Sequence, residues 1–98
     1  MNQFMADITL PETITDEFAA LIPFQRARVN VLMFEGKILS YSLSMDRSRL
    51  WVVVSAATAD DAHSIIASFP IFHFVRVQVQ ELMFHNGTHL LHPQFSLN

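Results

Sequence analysis

Polar and apolar positions alternate in four short stretches of this chain, and two stretches repeat at helical spacing. Phe4, Ala6, Ile8 and Leu10 alternate with Gln3, Met5, Asp7 and Thr9 before Pro11, which predicts a first strand near residues 3–10. Thr13 and Thr15 are N-cap residues ahead of Asp16-Glu17, whose negative charge suits the first turn of a helix. Phe18, Leu21, Ile22, Val29, Leu32 and Met33 then recur every three or four residues up to Gly36, so a helix is predicted near 15–35 with Gly36 ending it. Pro23 lies inside it and predicts a kink or a short preceding turn.

Residues 37–45 place Leu39, Tyr41, Leu43 and Met45 on one face and Ile38, Ser40, Ser42 and Ser44 on the other. A polar turn, Asp46-Arg47-Ser48-Arg49, leads into the β-branched run 50–56, and the two segments read as a hairpin. Thr58 caps a second helix, near 58–69, that carries Ala62, Ile65, Ile66 and Phe69 and stops at Pro70. Val75, Val77 and Val79 alternate with Arg76, Gln78 and Gln80, which predicts a fourth strand near 74–82. The order β-α-β-β-α-β defines an α+β, ferredoxin-like sandwich: a four-stranded antiparallel sheet with both helices on one face. The domain is expected over 1–86, with a C-terminal tail over 87–98.

Composition sharpens this picture. Of 98 residues, 51% are hydrophobic and 15% charged, against about 25% charged in an average soluble domain. Disorder is excluded. Six Lys+Arg against nine Asp+Glu speak against a nucleic-acid partner. Zero cysteines exclude disulfides and thiolate chemistry, and two glycines exclude a glycine-rich phosphate loop. The N-terminus has no basic region before Asp7, and no apolar run is long enough for a bilayer, so a cytoplasmic protein without membrane association is expected. One copy has more apolar surface than it can bury, which predicts a homodimer or higher homo-oligomer closing the uncovered sheet face around a pocket.

Chemistry-bearing side chains are sparse. His85, His89 and His92 lie close together, but no metal-ligand spacing is matched, and exposed tail imidazoles are the expectation. His63 is expected on a solvated helical face. Asp7 is a mid-strand carboxylate that reads either as a base or, more simply, as the ion-pair partner of Arg76. No nucleophile-elbow motif exists, so hydrolase chemistry is unsupported.

The run Ile66-Ala67-Ser68-Phe69-Pro70-Ile71-Phe72-His73-Phe74, the alternating strand from Val75 to Glu81 and Leu82-Met83-Phe84-His85 together resemble the muconolactone isomerase family. Ala62-His63 and Gly36 also fit, and the spacing from Gly36 to Pro70 agrees without a gap. The resemblance covers residues 3–86. It implies the same ferredoxin-like unit in a dimeric α/β-barrel type of assembly, with pockets at subunit interfaces. It also implies proton transfer within an unsaturated lactone, with no metal or organic cofactor. The family's glutamate falls on Gln25, its tyrosine on Ser48 and its asparagine on Leu50, and all three differ here. Gln25 does not ionise near neutrality. His85 matches the family histidine.

The expectation is therefore an isomerase-like protein that binds a small organic acid or lactone, with Asp7, Gln25, Arg76 and His85 as the residues to examine. Two alternatives stand beside it. One is a non-catalytic small-molecule-binding or assembly module. The other is a cofactor-free dimeric α/β-barrel enzyme of the monooxygenase kind.

Overall fold

A computed structural model describes residues 1–87. The elements are β1 (Asn2–Thr9), α1 (Asp16–Phe34), β2 (Ile38–Leu43), β3 (Arg49–Ala56), α2 (Ala59–Ala67), a 3₁₀ turn (Phe72–Phe74) and β4 (Arg76–Leu82). The strands form one antiparallel sheet in the order β2-β3-β1-β4, the arrangement that the element order predicts.

Capping sets the helix ends. Thr15 Oγ1 accepts from the Phe18 N–H at 3.1 Å, and Thr58 Oγ1 accepts from Asp61 N–H at 3.1 Å. At the other end of α1, Gly36 adopts φ +76°. That left-handed conformation lets Gly36 N–H reach Met33 O at 3.0 Å and Lys37 N–H reach Leu32 O at 2.9 Å, satisfying two orphan carbonyls. The helix runs unbroken through Pro23. Ala19, whose carbonyl loses its intrahelical donor to the proline ring, is exposed, so water can replace that bond.

The core joins Phe4, Ala6 and Ile8 of β1 and Leu50, Val52, Val54 and Ala56 of β3 to Phe18, Val29 and Leu32 of α1 and Ala62 and Ile66 of α2. Both helices thus cover one sheet face. Burying such side chains contributes roughly 1.5–3 kcal/mol each. Met33, expected in this core, is 41% exposed, and the buried positions of α1 include Gln25 instead.

The β2 segment departs from its sequence pattern. Ile38 pairs with Val54, but Ser40 pairs with Val53, so the register shifts between them. This bulge places Ile38 in the core, on the face of Tyr41 and Leu43, while Ser40 and Ser42 stay on the other face. A strict period of two puts Ile38 with the serines because it assumes an unbroken ladder. The uncovered face carries Met5, Asp7, Trp51, Val53, Gln78 and Gln80, residues that are directly paired across the strands.

Candidate functional site

Gln25 is the buried polar residue of the described chain, only 4% exposed. It points from α1 toward β2 and toward the segment after α2. Its Oε1 accepts from the Ile71 backbone N–H at 3.4 Å, and its Nε2 donates to the Tyr41 hydroxyl at 3.3 Å. The backbone N–H is a donor only, which settles the amide orientation: oxygen toward Ile71, nitrogen toward Tyr41. The Tyr41 ring meets the Phe69 ring edge to face, 6.4 Å between centroids. Burial pushes the Tyr41 hydroxyl above the usual phenol range, and the hydrogen bond from Gln25 offsets part of this. Because Nε2 already fills one Oη lone pair, the Tyr41 O–H proton is free to donate elsewhere. The cluster therefore offers neutral hydrogen-bonding groups and no ionisable base.

The Phe69-Pro70-Ile71-Phe72 run positions this cluster. Pro70 follows α2, Phe69 and Ile71 are buried, and Phe72 N–H bonds to Phe69 O at 3.0 Å. The resulting tight path brings the Ile71 N–H to Gln25. Arg28 Nε donates to Ser68 Oγ at 3.1 Å and ties α1 to the end of α2.

On the uncovered sheet face, Asp7 pairs with Arg49 rather than with Arg76. Arg49 Nη1 reaches both carboxylate oxygens of Asp7, at 3.0 and 3.1 Å. Thr9 lies directly between Arg49 on β3 and Arg76 on β4, so both arginines sit diagonally to Asp7. Strand register alone does not choose between them. Met5, Asp7, Gln78, Gln80 and Leu82 line a shallow depression of about 510 Å³ on this face.

The four residues singled out from sequence do not converge. Gln25 lies on the helix side of the sheet, whereas Asp7 and Arg76 belong to the opposite side. His85 follows the end of β4 remote from Arg76 and is half-buried. Ser48 donates through Oγ to Asp46 at 2.7 Å within the β2–β3 turn, and Leu50 is buried in the core. Tyr41 is the functional candidate that sequence reasoning missed, because the alternation of β2 presents it as one more core position. Among the described residues no group of three His, Asp or Glu is placed to hold a metal ion. His89 and His92 lie outside the described residues.

An open-faced ferredoxin-like α+β sandwich with an enclosed polar cluster is the class of protein this chain defines. The muconolactone delta-isomerase family profile matches residues 3–87, and the chain belongs to that family. Among solved structures, muconolactone isomerase superposes with a TM-score of 0.70 at 17% identity, covering 85% of this chain and 90% of that one. The 5-chloro-2-hydroxyhydroquinone dehydrochlorinase TftG of Burkholderia phenoliruptrix AC1100, in complex with 2,5-dihydroxybenzoquinone, superposes with a TM-score of 0.59 at 15% identity. That match covers 89% of this chain and 97% of TftG. No curated protein matches this chain by sequence. No helix among the described residues is long and apolar enough to cross a membrane.

Proposed function

We propose that this protein binds a small oxygenated organic molecule, an organic acid or a lactone, in a pocket completed by a second copy. In this reading the ligand lies on the helix side of the sheet beside the Gln25–Tyr41 cluster, apart from the depression on the uncovered face, and Gln25 holds the pocket wall without acting as a base. The observation that carries the reading is the Gln25 amide. It is buried, with both ends engaged by Tyr41 and Ile71, and it is the residue on which the family resemblance puts a glutamate. A glutamine there is uncharged and hydrogen-bonded at both ends of its amide, through one N–H and one oxygen lone pair, so no buried charge burdens the wall when no ligand is bound. Family membership supports the ligand class. A second fold neighbour holding an oxygenated six-membered ring points the same way.

Proton transfer at carbon needs a base within reach of the acidic proton and donors for the developing enolate. The Tyr41 hydroxyl supplies a donor. The carboxylate nearest in kind, Asp7, lies across the sheet and is engaged by Arg49. The expected behaviour is therefore ligand binding with little or no lactone isomerisation.

Two measurements test this. Calorimetric titration with muconolactone should give saturable binding to the wild-type protein. A spectrophotometric isomerisation assay should show little turnover by the wild type and a gain in Gln25→Glu. Rapid wild-type turnover that is insensitive to position 25 would show that another residue serves as the base and overturn the reading.

A further inference from the structure

Helix α1 is apolar on two sides. Phe18, Val29 and Leu32 face the core together with Gln25. On the other side Ala20, Phe24, Ala27, Val31 and Phe34 recur at alternating steps of four and three. At about 100° per residue these five fall within roughly 40° of a single line. All are exposed: Phe34 93%, Phe24 66% and Val31 46%, with both alanines also on the surface. No charged side chain interrupts the line between Ala20 and Phe34. A solvent-facing helix surface ordinarily carries charge there, whereas a seam repeating every three and four residues is the pattern by which helices pair.

We infer that this stripe packs against the same stripe of a second copy, with the two α1 helices antiparallel about a two-fold axis near Ala27. The sequence is self-complementary in that arrangement. Phe34 of one copy falls opposite Ala20 of the other, Ala27 meets Ala27, and Phe24 and Val31 come within one residue, about 1.5 Å of axial rise, of facing each other. Large side chains face small or β-branched ones, and the central alanines let the backbones approach. The ends complement in charge as well. Asp16 and Glu17 at the start of one helix come beside Lys37, just past the end of the other, where it already pairs with Glu35 at 3.5 Å, and the antiparallel helix dipoles attract. A parallel pairing would instead set the acidic turns side by side.

The three large side chains supply most of the area that a specific interface needs. Taking about 200 Å² for each full phenylalanine side chain, Phe24, Val31 and Phe34 expose roughly 400 Å² per copy. Two copies then remove about 800 Å² before the alanines and flanking residues are counted, close to the ~1,000 Å² of a specific interface. The stripe points away from the sheet. A contact here leaves the uncovered sheet face free, and the inference does not depend on the pocket reading above. If both surfaces self-associate, each through its own two-fold axis, the result is an even-numbered assembly larger than a dimer.

Sedimentation velocity on the full chain at tens of micromolar tests this. Phe24→Glu/Phe34→Glu should sediment at half the wild-type mass or less, with an unchanged far-ultraviolet dichroism spectrum. The chain has no cysteine, so Ala27→Cys supplies a second test without disturbing the fold. Under mild oxidation it should form disulfide-linked dimers at least tenfold faster than Ala67→Cys, an exposed position on α2. An unchanged mass in the double variant, or equal cross-linking rates, would overturn the inference. So would wild-type protein that co-sediments with phosphatidylcholine vesicles through Phe24 and Phe34, because a lipid surface would then be the occupant.

Discussion

Gln25 and Tyr41, sixteen residues apart in sequence, are joined by a hydrogen bond of 3.3 Å from the amide nitrogen to the phenol oxygen. With the Ile71 contact it bridges α1, β2 and the segment after α2. Gln25→Ala removes both bonds, leaves the Ile71 N–H unpaired and opens a cavity. A loss of about 2–4 kcal/mol is expected, measured as a shift in urea midpoint at constant slope.

Gln25→Glu should make stability pH-dependent. Burial disfavours the carboxylate, so the folded-state pKa rises above the unfolded value of about 4.3. The unfolded chain then ionises first. Relative to wild type, the variant should be most stable below about pH 4 and lose stability as pH rises toward its folded pKa. Denaturation curves between pH 3 and 8 check the sign.

The Asp7–Arg49 pair, with side chains 36% and 47% exposed, has the coupling of a surface pair in a lone protomer. A double-mutant cycle with Asp7→Asn and Arg49→Met should give about 0.2–1 kcal/mol at dilutions where copies are separate. At concentrations where a second copy covers the sheet face, desolvation should raise that value. A coupling independent of protein concentration would mean the face stays in water.

Asp46 organises the hairpin turn. It accepts from Ser48 Oγ at 2.7 Å, Ser44 Oγ at 2.8 Å and Ser48 N–H at 3.0 Å. These bonds hold its carboxyl down to about 2, from 3.8. A lowered folded pKa contributes stability that is full above the unfolded value and is lost as pH falls from about 4 toward 2. Asp46→Asn should flatten this acid limb, seen in unfolding midpoints over that range.

Arg47, in the same turn, has φ +64°, a left-handed conformation that costs a non-glycine residue about 1–2 kcal/mol. Arg47→Gly removes that strain but adds backbone entropy to the unfolded chain. A net gain of roughly 0.5–1 kcal/mol is expected, read as a raised Tm.

Local pattern alone determined most of this architecture. The alternation from Phe4 to Ile8, the threonine caps and the glycine ending α1 each act within a few residues, so the chain order of strands and helices is legible directly. The family, too, was readable from the Phe69-Pro70-Ile71-Phe72 run and the strand after it. Tertiary structure decided what depends on residues far apart in sequence. Gln25 stands out in the sequence only through the family resemblance, and its partners, Tyr41 and Ile71, lie 16 and 46 positions away. Ile38 changes face because a bulge against β3 adds a residue to its ladder. Asp7 chooses Arg49 over Arg76 although Thr9 lies beside both, since side-chain direction across three strands decides that pairing. Burial and pairing are properties of space around a residue, and one-dimensional periodicity records only which way each residue begins to point.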